Sequence, residues 1–326
     1  MATPRLVFTV TLTFVLLAAA LAAGAQQTRV YQVGVIMQGG PYTVAIDGLR
    51  DGLRELGLEE GKQFVLRVRD AKGDLTSVAA AARDLERERV DLIYAVTNSV
   101  TVAVKRATKS VPVVFSVGTD PVVSGLVEAT RKPGGRLTGV HSPFTDLTAK
   151  RLELLKEMVP GLRRLVTFYN PANPSAQQAA KLARDAARQL NVAFVERRVG
   201  SVEELRAGLQ ALQPGEAEAF FYVSDAMVTS RATLVIDTAK AKRLPTMFHE
   251  RQIVADGALA SYGVSYYAIG RLSAKYVQRV LLGTNPGDLP VEEFNRLHFA
   301  INLKTAKALG LTIPPSVLAR ADEILE

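Results

Sequence analysis

The stretch "VDLIYAVTNSVTVAVKRATKSVPVVFSVG" (90–118) decides the fold. It runs from an apolar strand into a polar mouth, Thr97-Asn98-Ser99, and then into a Ser/Thr-rich helical segment with Lys105 and Arg106 near its end. A second apolar strand follows, led by Pro112. The near-continuous run "VPVVFSV" is the pattern of a strand covered on both faces, as in parallel sheets. Strand, helix, strand at this spacing predicts a right-handed βαβ unit. The same plan returns in "AEAFFYVSDAMVTSRATLVIDTAKAKRLPTMFHE" (217–250), and "VGVIMQGGPY" (33–42) is matched by "LVTFYNPANP" (165–174). The chain resembles itself, which predicts two similar α/β lobes, the second starting near residue 141.

Outward from this unit the alternation continues. Strands are predicted in "YQVGVIM", "QFVLRVRDA", "VDLIYAV", "VPVVFSV", "RLTGVHS", "RRLVTFY", "VAFVERRV", "AEAFFYV", "LPTMFH" and "GALASYG". Helix signals lie between them: Asp74 as a cap, Ser201 with Glu204 as a capping box. Alternating elements of this kind give parallel sheets clothed by helices. Ligands of such sheets bind outside the carboxyl ends of the strands. Two facing lobes therefore predict a cleft suited to clamping a small molecule by hinge closure.

The first 25 residues stand outside this pattern. "MATPRLVFTVTLTFVLLAAALAAGA" has Arg5, an apolar run and a small-residue end, Ala23-Gly24-Ala25, which reads as a secretory signal cut before Gln26. An uncleaved anchor is the alternative, since the apolar run is almost long enough to span. A lipoprotein signal needs a cysteine, and the chain has none. An exported protein without disulfides relies on its core, which about 300 mature residues supply across two domains. The expected location is periplasmic. The net charge is +8, or +7 without Arg5, but the basic residues alternate with acids, as in "RDLERERVD". No basic block or aromatic–basic platform points to nucleic acid.

The mouths carry no catalytic or phosphate motif. "QGGP" lacks the G-x-G-x-x-G spacing, and no P-loop, nucleophile elbow or H-E-x-x-H is present. His141, His249 and His298 are too scattered for a local metal site and are expected at the surface or in hydrogen bonds. No metal and no cofactor are expected. The mouths offer hydroxyls, amides, a few acids and aromatic rings. Candidate ligand-binding residues are Gln38, Tyr42, Thr97, Asn98, Ser99, Thr119, Asp120, Asn170, Ser224, Asp225, Glu250 and Tyr262, with Ser116, Asn173 and Ser261 beside them. A helix beginning at "TNS" favours an anion such as a carboxylate. Asp120, Asp225 and Glu250 suit an ammonium, and Tyr42, Tyr169 and Tyr262 suit an apolar body. Phe115 and Tyr222 are expected mainly in the core. The same Asn, Ser, Asp and Thr residues also serve as ordinary caps and turns.

Four blocks extend the reading: "VGTDPVVSGLVEATRKPGGRLTGV" (117–140), "LELLKEMVPGLRRLVTFYNPANP" (152–174), "GALASYG" (257–263) and "INLKTAKALGLTIPPSVLARADEIL" (301–325). In content and order they resemble the solute-binding proteins of ABC transporters, in the group related to tryptophan- and tyrosine-binding proteins. The resemblance covers nearly all of the mature chain. It implies a type I periplasmic-binding-protein fold: two Rossmann-like lobes, 26–140 with 266–291 and 141–265 with 292–326, joined by crossovers near 141, 265 and 292. It also implies a non-enzymatic, monomeric receptor. Such a receptor clamps an amino acid or related carboxylate, aromatic in characterised members, and delivers it to an ABC permease. Its family blocks place Thr119-Asp120-Pro121, Asn170-Pro171-Ala172-Asn173-Pro174 and Ser261-Tyr262-Gly263 at the cleft. Many relatives carry Gly-Thr and a small residue at the 97–99 mouth, where this chain has Thr97-Asn98-Ser99. Alternatives of other kinds are a receptor feeding a signalling partner, and an exported enzyme using Asp120, Asp225 or Glu250 as acid or base. On the receptor reading, Asp120→Ala or Asp225→Ala weakens binding with the fold intact.

Overall fold

The computed structural model describes residues 29–326, so the export signal read at 1–25 lies outside the described residues. The first half alternates β1 (Tyr31–Met37), α1 (Thr43–Glu55), β2 (Phe64–Asp70), α2 (Leu75–Arg87), β3 (Leu92–Val96), α3 (Asn98–Ala107), β4 (Val113–Val117) and β5 (Leu137–His141). The second half repeats the plan. It runs α4 (Thr148–Met158), β6 (Arg164–Tyr169), α5 (Pro174–Gln189), β7 (Ala193–Arg198), α6 (Val202–Ala211), β8 (Ala219–Phe221), α7 (Ala226–Thr229), α8 (Ala232–Ala241), β9 (Thr246–Phe248), α9 (Arg251–Ala255) and β10 (Ala260–Gly263). The tail adds α10 (Tyr266–Leu281), β11 (Glu292–Glu293), β12 (His298–Asn302), α11 (Leu303–Leu309), α12 (Pro315–Leu318) and β13 (Glu323–Leu325).

The strands form two sheets, ordered β11-β5-β4-β3-β1-β2 and β13-β12-β10-β9-β8-β6-β7. Stripped of the tail strands, both read second–first–third–fourth–fifth in order of appearance, which is the self-resemblance of the sequence expressed as topology. The pairs are parallel except β10 with β12, which is antiparallel. The all-parallel expectation fails there because the chain enters β12 from the neighbouring lobe rather than through a covering helix. Each of the ten expected strands is present. The capping signals hold as well: Asp74 accepts from the Thr76 N–H at 2.8 Å, and Ser201 Oγ accepts from the Glu204 N–H at 3.1 Å. Glu204 reaches back to the Gly200 N–H instead of that of Ser201.

Both faces of each sheet are buried. Leu49, Leu53 and Val277 of α1 and α10 cover one face of the first sheet, and Val78, Leu85, Val100 and Val104 of α2 and α3 cover the other. In the second lobe α4 and α5 lie opposite α6 and α8. The chain passes between lobes after β5, after β10 and after β11. The outer boundaries differ slightly from the sequence reading. His141 completes β5, and Glu292–Glu293 pairs with Val140 and His141 in the first sheet. The third crossing therefore falls between Glu293 and His298.

Helix α10 returns to the first lobe and crosses α1 almost backbone to backbone. A Cβ on Gly48 would stand 2.0 Å from the Tyr267 carbonyl oxygen, and one on Gly270 would stand 1.9 Å from that of Ala45. This crossing fixes the start of α10, and with it Tyr266 and Ile269, beside the cleft. Among the described residues no helix is long and apolar enough to cross a membrane.

Candidate functional site

The strand-end mouths of both lobes line a small cavity of about 50 Å³. The first lobe contributes Tyr42, Thr97, Asn98, Ser99, Ser116 and Thr119 to its wall. The second contributes Asn173, Ser175, Tyr222, Ser224 and Asp225, while the crossovers add Phe144, Thr145, Tyr266 and Ile269. The lobes touch across it. Asn98 Nδ2 donates to Ser175 Oγ at 3.0 Å, and the Arg231 guanidinium donates to the Lys72 carbonyl. A Cβ on Gly40, at φ 60°, would meet the Ser230 backbone at 2.7–2.9 Å.

Each wall segment has a local cause. Helix α3 begins at Asn98, so its first N–H groups have no partner within the helix and point to the mouth. Thr97 precedes it at φ 87°, ψ 157°, a conformation nearly confined to glycine and costing other residues about 1–3 kcal/mol. This chain holds a threonine in a glycine's backbone. Opposite, Asp225 caps α7. Its Oδ1 accepts from the Val228 N–H at 3.0 Å, and its Oδ2 accepts from the Asn170 N–H at 3.0 Å and from Asn173 Nδ2 at 3.4 Å. Burial outweighs these bonds and raises the Asp225 carboxyl above the ordinary range. The Tyr222 hydroxyl accepts from the Asp225 N–H at 2.8 Å and from Thr229 Oγ1 at 2.7 Å, which fixes its ring in the wall. The Tyr42 and Tyr266 rings meet at 4.9 Å.

Of the residues expected at the cleft, Tyr42, Thr97, Asn98, Ser99, Thr119, Ser224 and Asp225 line the cavity together, as do Ser116 and Asn173. Ser261 is buried within β10 and does not reach the wall, and neither do the five remaining candidates. Gln38 is buried one step behind, its Nε2 donating to Ser99 Oγ at 3.1 Å. Asp120 is exposed and closes its own turn, accepting from the Val122 and Val123 N–H groups at 2.7 and 3.1 Å. Asn170 ties its turn to Asp225 and to the Ala172 N–H. Glu250 caps α9, accepting from the Gln252 N–H at 2.6 Å. Tyr262 packs edge-on against Phe299 at 6.1 Å, in the second-lobe core.

Sequence reasoning missed the crossover residues Phe144, Thr145, Tyr266 and Ile269, and Ser175 of α5. The aromatic residues flanking the predicted crossovers near 141 and 265 were the available signal. His249, expected at the surface or in a hydrogen bond, is fully buried between Phe144 and Tyr222, with ring centroids at 4.9 and 4.5 Å, and is bonded through Nε2 to the Tyr266 hydroxyl. Phe115 is in the core as expected; Tyr222 is both core and wall. Among the described residues no cluster of His, Cys, Asp and Glu is arranged to hold a metal ion.

Glu250 carries a pH signature. Burial raises its carboxyl from 4.5 to about 7. The folded state thus keeps a proton that the unfolded chain releases. The resulting stabilisation is complete below about pH 4.5 and lost as pH rises through 7, amounting to about 3 kcal/mol. His249, held well below its ordinary 6.5, works in the opposite sense: its contribution is present above pH 6.5 and lost on acidification. Glu250→Gln keeps the helix cap but cannot ionise, and the His249 contribution is common to both proteins. Denaturant unfolding at pH 5 and pH 8 should therefore show the variant gaining about 3 kcal/mol relative to wild type at the higher pH. An equal difference at both pH values would show that Glu250 titrates normally.

Comparison with known proteins agrees with this architecture. The tyrosine-binding protein of Clostridioides difficile is 28% identical over 81% of this chain and 76% of that protein. The structure of an ABC domain in complex with L-Trp from Streptococcus pneumonia superposes with a TM-score of 0.80 at 25% identity, covering 91% of this chain and all of that one. The ligand-free, open structure of a substrate-binding protein with adhesive properties from Clostridium difficile superposes at 0.59 with 24% identity, over 91% and 99% of the two chains. A family model matches residues 31–325. With that match spanning both lobes and all three crossings, the chain belongs to the ABC transporter substrate binding protein family.

Proposed function

We propose that this protein is the extracytoplasmic receptor of an ABC importer and that its cavity holds an amino acid with an aromatic side chain. One observation carries the reading: a desolvated acid, Asp225, and a free helix N-terminus, at Asn98–Ser99, line the same cavity between aromatic rings. The acid takes the ammonium. The N–H groups of α3 with the Thr97, Ser99 and Thr119 hydroxyls take the carboxylate. Tyr42, Phe144, Tyr222 and Tyr266 receive the ring. The tyrosine- and L-Trp-binding relatives support this ligand class.

The mechanism on this reading is conformational. Solute binds one lobe of an open form, the second lobe closes, and the permease recognises the closed shape. The better superposition on the L-Trp complex than on the open, ligand-free structure supports assigning the present conformation to the closed side. No bond is made or broken in the solute, and the protein acts as a monomer.

A thermal-shift panel on residues 26–326, unfolded and refolded to remove carried solute, tests the ligand class. Phenylalanine, tyrosine or tryptophan at about 1,000 times its dissociation constant adds about 4 kcal/mol to the folded state, a rise of several degrees. A flat response to all three with a shift from a sugar would refute the amino-acid assignment. The two aspartates divide sharply. Asp225→Asn, which keeps an acceptor for the α7 cap, should weaken binding about 10- to 100-fold by removing a charged bond to the ammonium. Asp225→Ala should also destabilise the fold by about 2–3 kcal/mol, because it strips the partners from Val228, Asn170 and Asn173; the sequence expectation of an intact fold does not hold for that change. Asp120→Ala should leave affinity unchanged, since Asp120 serves only its own turn. Calorimetric titration of the three variants reads these outcomes directly.

A further inference from the structure

Behind the cavity wall sits a buried charge that the amino-acid reading leaves unassigned. Arg151, on the first turn of α4, is 0% exposed. Its Nη1 donates to the Phe144 carbonyl at 2.9 Å and its Nη2 to Thr148 Oγ1 at 3.0 Å. Its Nε has no hydrogen-bond partner among the described residues. Both hydrogen-bond partners are uncharged oxygens, and among the described residues Arg151 forms no ion pair. Burial lowers the guanidinium to about 10, so it stays protonated at neutral pH. The neighbouring His249 is kept neutral by its own burial and by this cation, so it neither shares nor offsets the charge.

A buried cation without an anion costs several kcal/mol, and that cost asks for a compensating partner. The geometry leads to the cavity. The carbonyl that Nη1 grips belongs to the same peptide unit as the Thr145 N–H, and both Phe144 and Thr145 line the wall. Drawing electron density from a carbonyl strengthens the N–H on the other side of its peptide as a donor. Thr145 Oγ1 also donates to the Gly118 carbonyl at 3.1 Å. This places the polarised peptide beside the Gly118–Thr119 segment of the wall, on the side where the carboxylate is read.

We propose that Arg151 is a specificity-determining positioning residue, which makes the cavity select solutes bearing a carboxylate by acting through the Phe144–Thr145 peptide without touching the solute. This rests on the amino-acid reading of the cavity. The bound carboxylate supplies the anion that the fold withholds, so the cation favours the filled site and opposes the empty one.

The test compares an amino acid with its decarboxylated amine: L-tyrosine with tyramine, and L-tryptophan with tryptamine, titrated calorimetrically at pH 7. Wild type should prefer the acid-bearing member of one pair. Arg151→Met should cut that preference at least 10-fold, through weaker amino-acid binding with amine binding unchanged or tighter. Arg151→Lys, which retains the charge, should keep most of it. Unliganded Arg151→Met should melt at or above the wild-type temperature, because an uncompensated charge has been removed. Equal weakening of both members of a pair, an unchanged preference, or an unliganded variant melting many degrees lower would each overturn the proposal and make Arg151 a structural support. Failure of wild type to bind any of the four compounds would instead remove the amino-acid reading, and this proposal with it.

Discussion

Gly40→Ala should bind solute about 100-fold more weakly than wild type while remaining folded. Gly40 adopts φ 60° at the mouth after β1, and its missing side chain faces the oxygen, carbonyl carbon and Cα of Ser230 in the opposite lobe at 2.7–2.9 Å. These are backbone atoms, so no rotamer change relieves the overlap. The lobes can then meet only by standing further apart, which breaks the register of Asn98 with Ser175 and opens the cavity. If the closed state becomes about 3 kcal/mol less favourable, apparent affinity falls in proportion to its lost population. The left-handed backbone itself costs alanine about 1 kcal/mol of stability. Gly57→Ala isolates that cost, since Gly57 lies at φ 82° with nothing within 4 Å of the added carbon. Calorimetry and melting on both variants separate the effects: affinity should drop for Gly40→Ala alone. Wild-type affinity in Gly40→Ala would mean that the lobes do not close to this contact when solute binds.

Gly270→Ala should be the most damaging single methyl group in the first lobe. The new carbon would stand 1.9 Å from the Ala45 carbonyl oxygen and 2.8 Å from its carbon. Accommodating it requires α1 and α10 to separate by more than an ångström along a buried crossing. Overpacking commonly costs 1–3 kcal/mol where side chains can yield, and here only backbone faces backbone. A loss of about 3 kcal/mol or more is expected, exceeding the roughly 1 kcal/mol that alanine gains over glycine in a helix. Tyr266 and Ile269 ride on the same helix end, so affinity should fall with stability. Gly161→Ala, with open space around it, is the matched control and should melt like wild type. A melting temperature for Gly270→Ala equal to that control would rule out the close crossing.

Much of this was legible before any coordinates. The alternation of apolar runs and capped helices located ten strands, because parallel strands buried on both faces announce themselves as short β-branched blocks. Two of the three tail strands were silent for the opposite reason: Glu292–Glu293 and Glu323–Leu325 are short, charged and at sheet edges, with no periodicity to detect. Within the site, a strand running into a polar residue and then a helix was enough to nominate Thr97, Asn98, Ser99 and Asp225. The same rule misplaced Asp120 and Glu250. A carboxylate capping its own turn and one facing a ligand occupy the same kind of sequence position, and only the direction of the loop separates them. Phe144, Tyr266 and the Arg151–His249 layer depend on which crossovers meet in space, which no local pattern encodes. Thr97 was visible as a departure from its relatives, but the glycine-like backbone behind that departure was not.

The wall of the cavity has an optical consequence. Tyr42, Tyr222 and Tyr266 line it, and the chain contains no tryptophan at all. Tyrosine emission overlaps indole absorption, so an excited ring in the wall passes its energy to any indole lodged against it. A tryptophan guest would then be the complex's one indole, lit by the three rings around it. Occupancy by that solute would announce itself in unlabelled protein, as tyrosine emission fading while a redder indole band rises.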